Sequence, residues 1–173
     1  TRAAWAFPLI GYFIGICSGI IGDISLFFGL STFVSCLLAV AFSVMLTGAF
    51  HEDGLADMAD GFGAGGSRER VNEIMHDSRL GTYGVSAITL GLLIRVGLIV
   101  SLVDLGYSFA LIMGTGFASG KMAIIVTRKL FNPSYLAKTG SIIGYISAKN
   151  FLYATLSWLV PVILFFSFFS ILF

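Results

Sequence analysis

The stretch LFFGLSTFVSCLLAVAFSVMLTGAF, Leu26–Phe50, carries no charge and runs directly into HEDGLADMADGF, His51–Phe62, which carries four carboxylates. An uncharged run of this length suffices for a helix to cross a bilayer, which takes about 20 residues. The join is abrupt. A membrane helix is expected to end where a cluster of acid begins.

Four further runs have the same character, so five spans are expected, over 5–22, 26–50, 85–103, 107–126 and 151–173. Asp23 and Ser25 are expected to mark the turn between the first two, and Asp104 and Gly106 the turn between the third and fourth. Pro8 and Pro161 fall inside apolar runs, where a proline is expected to kink a membrane helix rather than end it.

Composition supports this reading. Of the 173 residues 57% are hydrophobic and 11% charged, against roughly 25% charged in a soluble domain. Mean hydropathy is +0.97. A disordered chain is excluded, and so is an ordinary soluble core, which could not hide this much apolar surface. A net charge of +1 gives no bulk attraction to nucleic acid. Cys17 and Cys36 lie singly in apolar runs and read as small buried hydrophobes. The expected fold is all-α: one polytopic membrane bundle over residues 1–173, with a helical acidic hairpin over 51–84.

Seven of the nine acids lie between positions 52 and 77. Arg2, the 51–84 segment and the 127–150 segment fall on one side of a five-span bundle and hold eight of the ten basic residues. The opposite side has Asp23 and Asp104 and no Lys or Arg. The positive-inside rule then puts the acidic segment in the cytoplasm. The expected location is the cell's inner membrane.

Asp53, Asp57 and Asp60 are spaced i, i+4, i+7, within an arc of roughly 60° on a helix. Carboxylates so close repel one another and call for a cation, and oxygen-only ligands suit a hard divalent ion such as Mg²⁺. After the Gly63–Gly66 turn, a helix over about Arg68–Asp77 carries Glu69, Glu73 and Asp77 as a second stripe, which a hairpin would face toward the first. Two facing stripes could hold one or two metal ions. Ser67 stands at the N-cap position. Arg79 could clamp a phosphate or pair with Asp77, and His51 and His76 read as hydrogen-bond partners of the acids. Arg95 lies mid-span and must face the bundle, a cavity or a carboxylate. Lys121, near the cytoplasmic end of the fourth span, could snorkel or reach a pyrophosphate.

The run His51-Glu52-Asp53-Gly54-Leu55-Ala56-Asp57-x-Ala59-Asp60-Gly61 is followed by Arg68-Glu69-Arg70, then by Glu73-Ile74-Met75-x-Asp77-Ser78-Arg79-Leu80-Gly81-Thr82-Tyr83-Gly84. Together they resemble the cobalamin synthase family, the adenosylcobinamide-GDP ribazoletransferases. Phe7-Pro8-Leu9-Ile10-Gly11 resembles that family's entry into its apolar spans, and the likeness extends to about Gly144. Lys121 and Lys138 stand where the family pattern has arginine, which keeps the charge and loses the fork. Glu52 falls where the family varies. A Thr-Arg-x-Pro segment before the chain and a Gly-Gly-x-Thr-Gly-Asp segment after it are lacking, so a fragment is expected.

The resemblance implies transfer of adenosylcobinamide phosphate from adenosylcobinamide-GDP to a hydroxyl of α-ribazole or its 5′-phosphate, with GMP leaving. It implies Mg²⁺ held by Asp53, Asp57, Asp60 and Asp77. Asp60 or Glu73 would take the alcohol proton, and Arg79, Lys121 and Lys138 would bind substrate phosphate. The number of copies that assemble as a homo-oligomer is left open. Two rivals are a CDP-alcohol phosphotransferase and a divalent-cation transporter. The first lacks its Ala-Arg after the acidic run. The second would need carboxylates at mid-membrane, where Arg95 stands instead.

Overall fold

The computed structural model describes residues 3–131 and 146–172. Within them every regular element is helical: a 3-10 turn at Ala4–Ala6, then α1 (Phe7–Phe27), α2 (Thr32–Thr47), α3 (Phe50–Ala64), α4 (Arg68–Ile74), α5 (Thr82–Asp104), α6 (Phe109–Leu130) and α7 (Ala148–Leu172). The stretches Ala4–Phe27, Thr82–Asp104, Phe109–Leu130 and Ala148–Ser167 are each long and apolar enough to cross a membrane. The pair α2 and α3 qualifies as a fifth span, broken by a bend of 85°. The protein is a polytopic membrane helical bundle.

Three local expectations are corrected. Asp23 and Ser25 do not turn the chain. Both lie within α1, and the turn comes later, at Gly29 (φ 87°) and the N-cap Ser31. Ser25 is helical, and its hydroxyl is satisfied by donating back to the Ile21 carbonyl at 2.7 Å. Asp23 has a distant partner instead. Its carboxylate accepts from the Phe109 and Ala110 N–H groups at 2.8 and 3.0 Å, so it caps α6 from a neighbouring helix.

The second span does not run straight to Phe50. It stops at Thr47, where Gly48 (φ 63°) and Ala49 (φ 56°) both take the left-handed conformation and turn the chain into α3. Alanine there costs about 1 kcal/mol of backbone strain, which the packing of the two flanking helices must offset. Pro8 does not kink α1. It occupies the first turn, where its missing N–H would have had no partner. Pro161 does lie inside α7.

The bundle is built around α1 and α6. The face of α1 that packs inward carries Pro8, Gly11, Gly15, Ser18, Gly19, Gly22 and Ser25. Gly11 meets Phe117 and Lys121, Gly15 meets Met113, Gly19 meets Ala110, and Gly22 meets Phe109, so the two helices run antiparallel. Small residues at this spacing let backbones approach closely, which is how helices associate where lipid removes the hydrophobic drive. α7 is tied to α6 by Trp158 Nε1–H donating to Ser119 Oγ at 3.0 Å, and Phe165 stacks on Tyr107 with centroids 4.7 Å apart. α5 packs mainly against α2 and α3, and a cavity remains between it and α6.

Candidate functional site

α3 lies antiparallel along the first half of α5. Glu52 pairs with Arg95, Leu55 meets Gly91, and Asp60 meets Gly81 and Gly84. Positions 52, 56 and 60 therefore form the face turned to α5. Asp53 and Asp57 lie further round the helix: Asp53 is exposed and Asp57 half-buried. Among the described residues neither side chain accepts a hydrogen bond, and no group of three His, Cys, Asp or Glu residues converges closely enough to hold a metal ion.

Asp60 stands at the border of the two faces and is buried. Its two oxygens accept from the Gly84 and Gly81 N–H groups, each at 2.8 Å, which caps the start of α5. A Cβ at either glycine would collide with this carboxylate, so Leu80-Gly81-Thr82-Tyr83-Gly84 is the sequence of a helix start built around an incoming acid. Asp60→Ala should leave two backbone donors unsatisfied and destabilise the protein by about 2–4 kcal/mol. Asp60→Asn keeps one acceptor oxygen and should lose about half as much. Thermal unfolding of the two variants in detergent gives the comparison, and equal midpoints for Asp60→Ala and wild type would refute the cap.

The hairpin closes differently from the sequence expectation. α4 ends at Ile74, and Ser67 caps it by accepting from Arg70 N–H at 3.2 Å. Val71 and Met75 pack onto Gly61 of α3. This apolar i, i+4 pair sets the docking face of α4, and Glu73 is left exposed and paired with Arg70 at 2.7 Å. The second stripe does not face the first. His76 comes within electrostatic reach of Asp57 instead, while its Nδ1 holds the Asn72 carbonyl at 2.7 Å. Asp77 is gripped by Arg79 through both its Nε and terminal nitrogens, which holds the Asp77 carboxyl down at about 2. Lys138 lies outside the described residues.

A second polar group sits deeper. Arg95 donates to Glu52 Oε1 at 3.1 Å, and Glu52 Oε2 is buried without a partner among the described residues. Lys121 Nζ donates to His51 Nε2 at 2.8 Å. Arg95 lies about 20 Å along α5 from its start and Lys121 about 14 Å along α6 from its end, so both belong to the middle of the bundle. The sequence reading set Glu52 aside because it falls where the family pattern varies. The usable signal was Arg95 itself, since a mid-span cation needs a partner and Glu52 is the acid one helical face away from the stripe.

Three of these residues, His51, Arg95 and Lys121, close one end of a cavity of about 390 Å³ between α5 and α6. Its walls are Leu98, Leu102, Ile112 and Phe117, and its polar end is His51, Arg95 and Lys121. A recess of about 50 Å³ continues past His51 and Arg95 to Glu52.

Fold and site together define a multi-pass membrane protein that carries a two-carboxylate stripe on a helical hairpin and a cationic pocket within the bundle. A profile of the family described as cobalamin-5-phosphate synthase matches residues 1–173, and the chain belongs to that family. Curated relatives bear the name adenosylcobinamide-GDP ribazoletransferase. The protein from Bradyrhizobium diazoefficiens is 50% identical over 95 residues, covering 55% of this chain and 36% of its own length. Those from Azorhizobium caulinodans and Vibrio cholerae are 52% and 50% identical over 106 residues, covering 60% and 61% of this chain and 39% and 40% of their own lengths. The matched stretches thus span well under half of each relative. No solved structure matches the chain.

Proposed function

We propose that the chain carries the membrane-embedded core of an adenosylcobinamide-GDP ribazoletransferase. Adenosylcobinamide phosphate would pass from adenosylcobinamide-GDP to a hydroxyl of α-ribazole or its 5′-phosphate, and GMP would leave. The observation that carries this reading is the family match over residues 1–173, which contains an Asp53–Asp57 stripe on α3 that accepts no hydrogen bond among the described residues. Such a reaction must manage the charge of a pyrophosphate at a surface reachable by water-soluble substrates.

Two carboxylates on one exposed helical face fit a Mg²⁺ ion, which commonly takes one or two protein carboxylates and completes its shell with water and substrate phosphate. When bound, the ion would neutralise pyrophosphate charge. Asp60 and Asp77 were also expected as ligands, but Asp60 holds the start of α5 and Asp77 holds Arg79. Of the two carboxylates expected to take the alcohol proton, Asp60 keeps both oxygens on backbone N–H groups, and Glu73 is paired with Arg70 on a face of α4 turned from the Asp53–Asp57 stripe. Arg79 is 87% exposed and reaches a phosphate by exchanging its carboxylate partner for one.

The hairpin would face the cytoplasm across the inner membrane. Arg68, Arg70, Arg79, Arg128, Lys129 and Lys149 lie at the bundle end formed by α4, the end of α6 and the start of α7, while the turns at 28–31 and 105–108 hold no basic residue. The test is incubation of the full-length protein with adenosylcobinamide-GDP, α-ribazole 5′-phosphate and Mg²⁺. GMP and a corrinoid carrying the new base are expected, in amounts abolished by chelating the metal. Substrates recovered intact from a folded preparation would overturn the reading.

A further inference from the structure

We infer that the cavity between α5 and α6 is a lipid site, which takes one acyl chain of an anionic phospholipid along its aliphatic walls and the headgroup phosphate on Lys121. The resemblance put substrate phosphate on this lysine, but its surroundings favour a ligand that comes from the membrane. The inference does not depend on the reaction proposed above.

The cavity opens sideways. Leu98 is 62% exposed, and Gly116 and Gly120 are exposed beside it. A Cβ at either glycine meets nothing within 4 Å. The slot therefore lacks a wall on the outer surface of two helices that are each long and apolar enough to cross a membrane, where hydrocarbon chains are the solvent. From Lys121 to Ile112 it follows nine residues of α6, about 14 Å. A volume of about 390 Å³ over that length leaves a cross-section of about 28 Å². An extended hydrocarbon chain fits this width. A helix, about 10–12 Å across with its side chains, does not.

Depth agrees with a lipid. Lys121 packs against Gly11 on α1. α1 begins at Phe7, so Lys121 stands about 6 Å inside the hairpin end of that helix. Trp5, 39% exposed, precedes α1 there and is the residue type that sits at headgroup level. A lysine at this depth keeps its stem in the apolar layer and its ammonium toward the headgroups. The aliphatic walls continue from it toward Leu102 and Ile112, near the α5–α6 turn, which is the direction an acyl chain takes from the headgroup into the bilayer.

Charge selects the headgroup. Arg95 and Lys121 bring two positive charges to the polar end, and Glu52 supplies one negative charge, which Arg95 holds. Lys121 makes no ion pair among the described residues; its hydrogen bond goes to His51. One positive charge is left over, and keeping it in an apolar bundle is costly. A lipid with a single negative charge removes that cost, whereas the quaternary ammonium of a choline headgroup would meet two cations. Glu52 Oε2, buried without a partner among the described residues, lies in the adjoining recess and can accept from a headgroup hydroxyl. Phosphatidylglycerol has the charge, the hydroxyls and the chain. Bound there it touches His51 at the start of α3 and so fixes the depth at which the hairpin leaves the membrane.

Native mass spectrometry of the full-length protein in detergent, titrated with phosphatidylglycerol and with phosphatidylcholine of the same chains, tests the assignment. Wild type should retain one phosphatidylglycerol about tenfold more tightly than phosphatidylcholine, as expected of a charge-assisted bond. Lys121→Met keeps the stem that packs on Gly11 and should bring the two affinities within about twofold, while Lys121→Arg should keep the preference. Gly116→Leu should fill the slot without disturbing the helix and weaken both lipids by about tenfold. It leaves the cation untouched, so it decides the case alone if Lys121→Met aggregates.

Equal affinity of wild type for the two lipids, an undiminished preference in folded Lys121→Met, or unchanged lipid binding in Gly116→Leu would overturn the assignment. So would release of bound phosphatidylglycerol by excess GMP or inorganic phosphate, which would make a soluble phosphate the occupant. A lipid-free dimer that Gly116→Leu splits into monomers would overturn it too, with a second copy of the chain as the occupant.

Discussion

Gly15→Leu is expected to abolish the folded bundle. Any side chain at Gly15 enters the backbone of Met113 and Gly114 on α6, and backbone cannot swing aside as the end of a flexible side chain can. Overpacking a core costs about 1–3 kcal/mol where side chains yield. Here α1 and α6 must separate, and Gly11, Gly19 and Gly22 on the same seam lose their contacts with them. The loss should exceed about 3 kcal/mol, seen as aggregation in place of a single peak on size exclusion in detergent. Gly97 on α5 is the control, because a Cβ there meets nothing within 4 Å. Gly97→Ala should stay within about 0.5 kcal/mol of wild type. A well-behaved Gly15→Leu protein would show that α1 and α6 do not pack as described.

Asp57→Asn is the second change with a large expected effect, and it acts on chemistry with the fold intact. The side chain has no hydrogen bond to lose among the described residues, and asparagine keeps its size. Removing its charge also relieves repulsion from Asp53 at i−4. Stability should therefore hold or rise by a few tenths of a kcal/mol. Metal-dependent GMP release should fall by about 100-fold or more, the scale set by losing one charged group that stabilises a transition state. Full turnover by Asp57→Asn would remove the stripe from the catalytic machinery. Asp60→Asn makes the contrast: any loss of activity there should track its lowered unfolding midpoint.

The apolar runs made the bundle legible, because hydropathy reports directly on what a helix meets in lipid. The same signal could not reveal the break at Gly48 and Ala49. Both lie within an uncharged run, and a left-handed backbone pair leaves hydropathy unchanged. Asp23 was read as a turn residue since its partners, Phe109 and Ala110, stand 86 and 87 positions away. Asp60 was grouped with Asp53 and Asp57 by spacing alone, and only the docking of α3 on α5 separates it from them. The facing of α4 was within reach of the sequence: Val71 and Met75 are an apolar i, i+4 pair opposite a glycine. The acids at 69, 73 and 77 drew attention to the wrong side of that helix.

The two kinds of contact that organise the molecule also differ in when a growing chain can make them. Asp60 reaches Gly81 and Gly84 across 21 and 24 positions, so the hairpin can close as soon as the first turn of α5 leaves the ribosome. The glycine face of α1 has no such early partner. It must wait in the translocation machinery or the lipid until α6 has been made, some ninety residues later. The acidic hairpin is thus a local unit completed early, and the seam that closes the bundle around it is completed late. A ribosome stalled between α5 and α6 would leave the hairpin formed beside an open α1, whose small-residue face is then available to any other helix in the membrane.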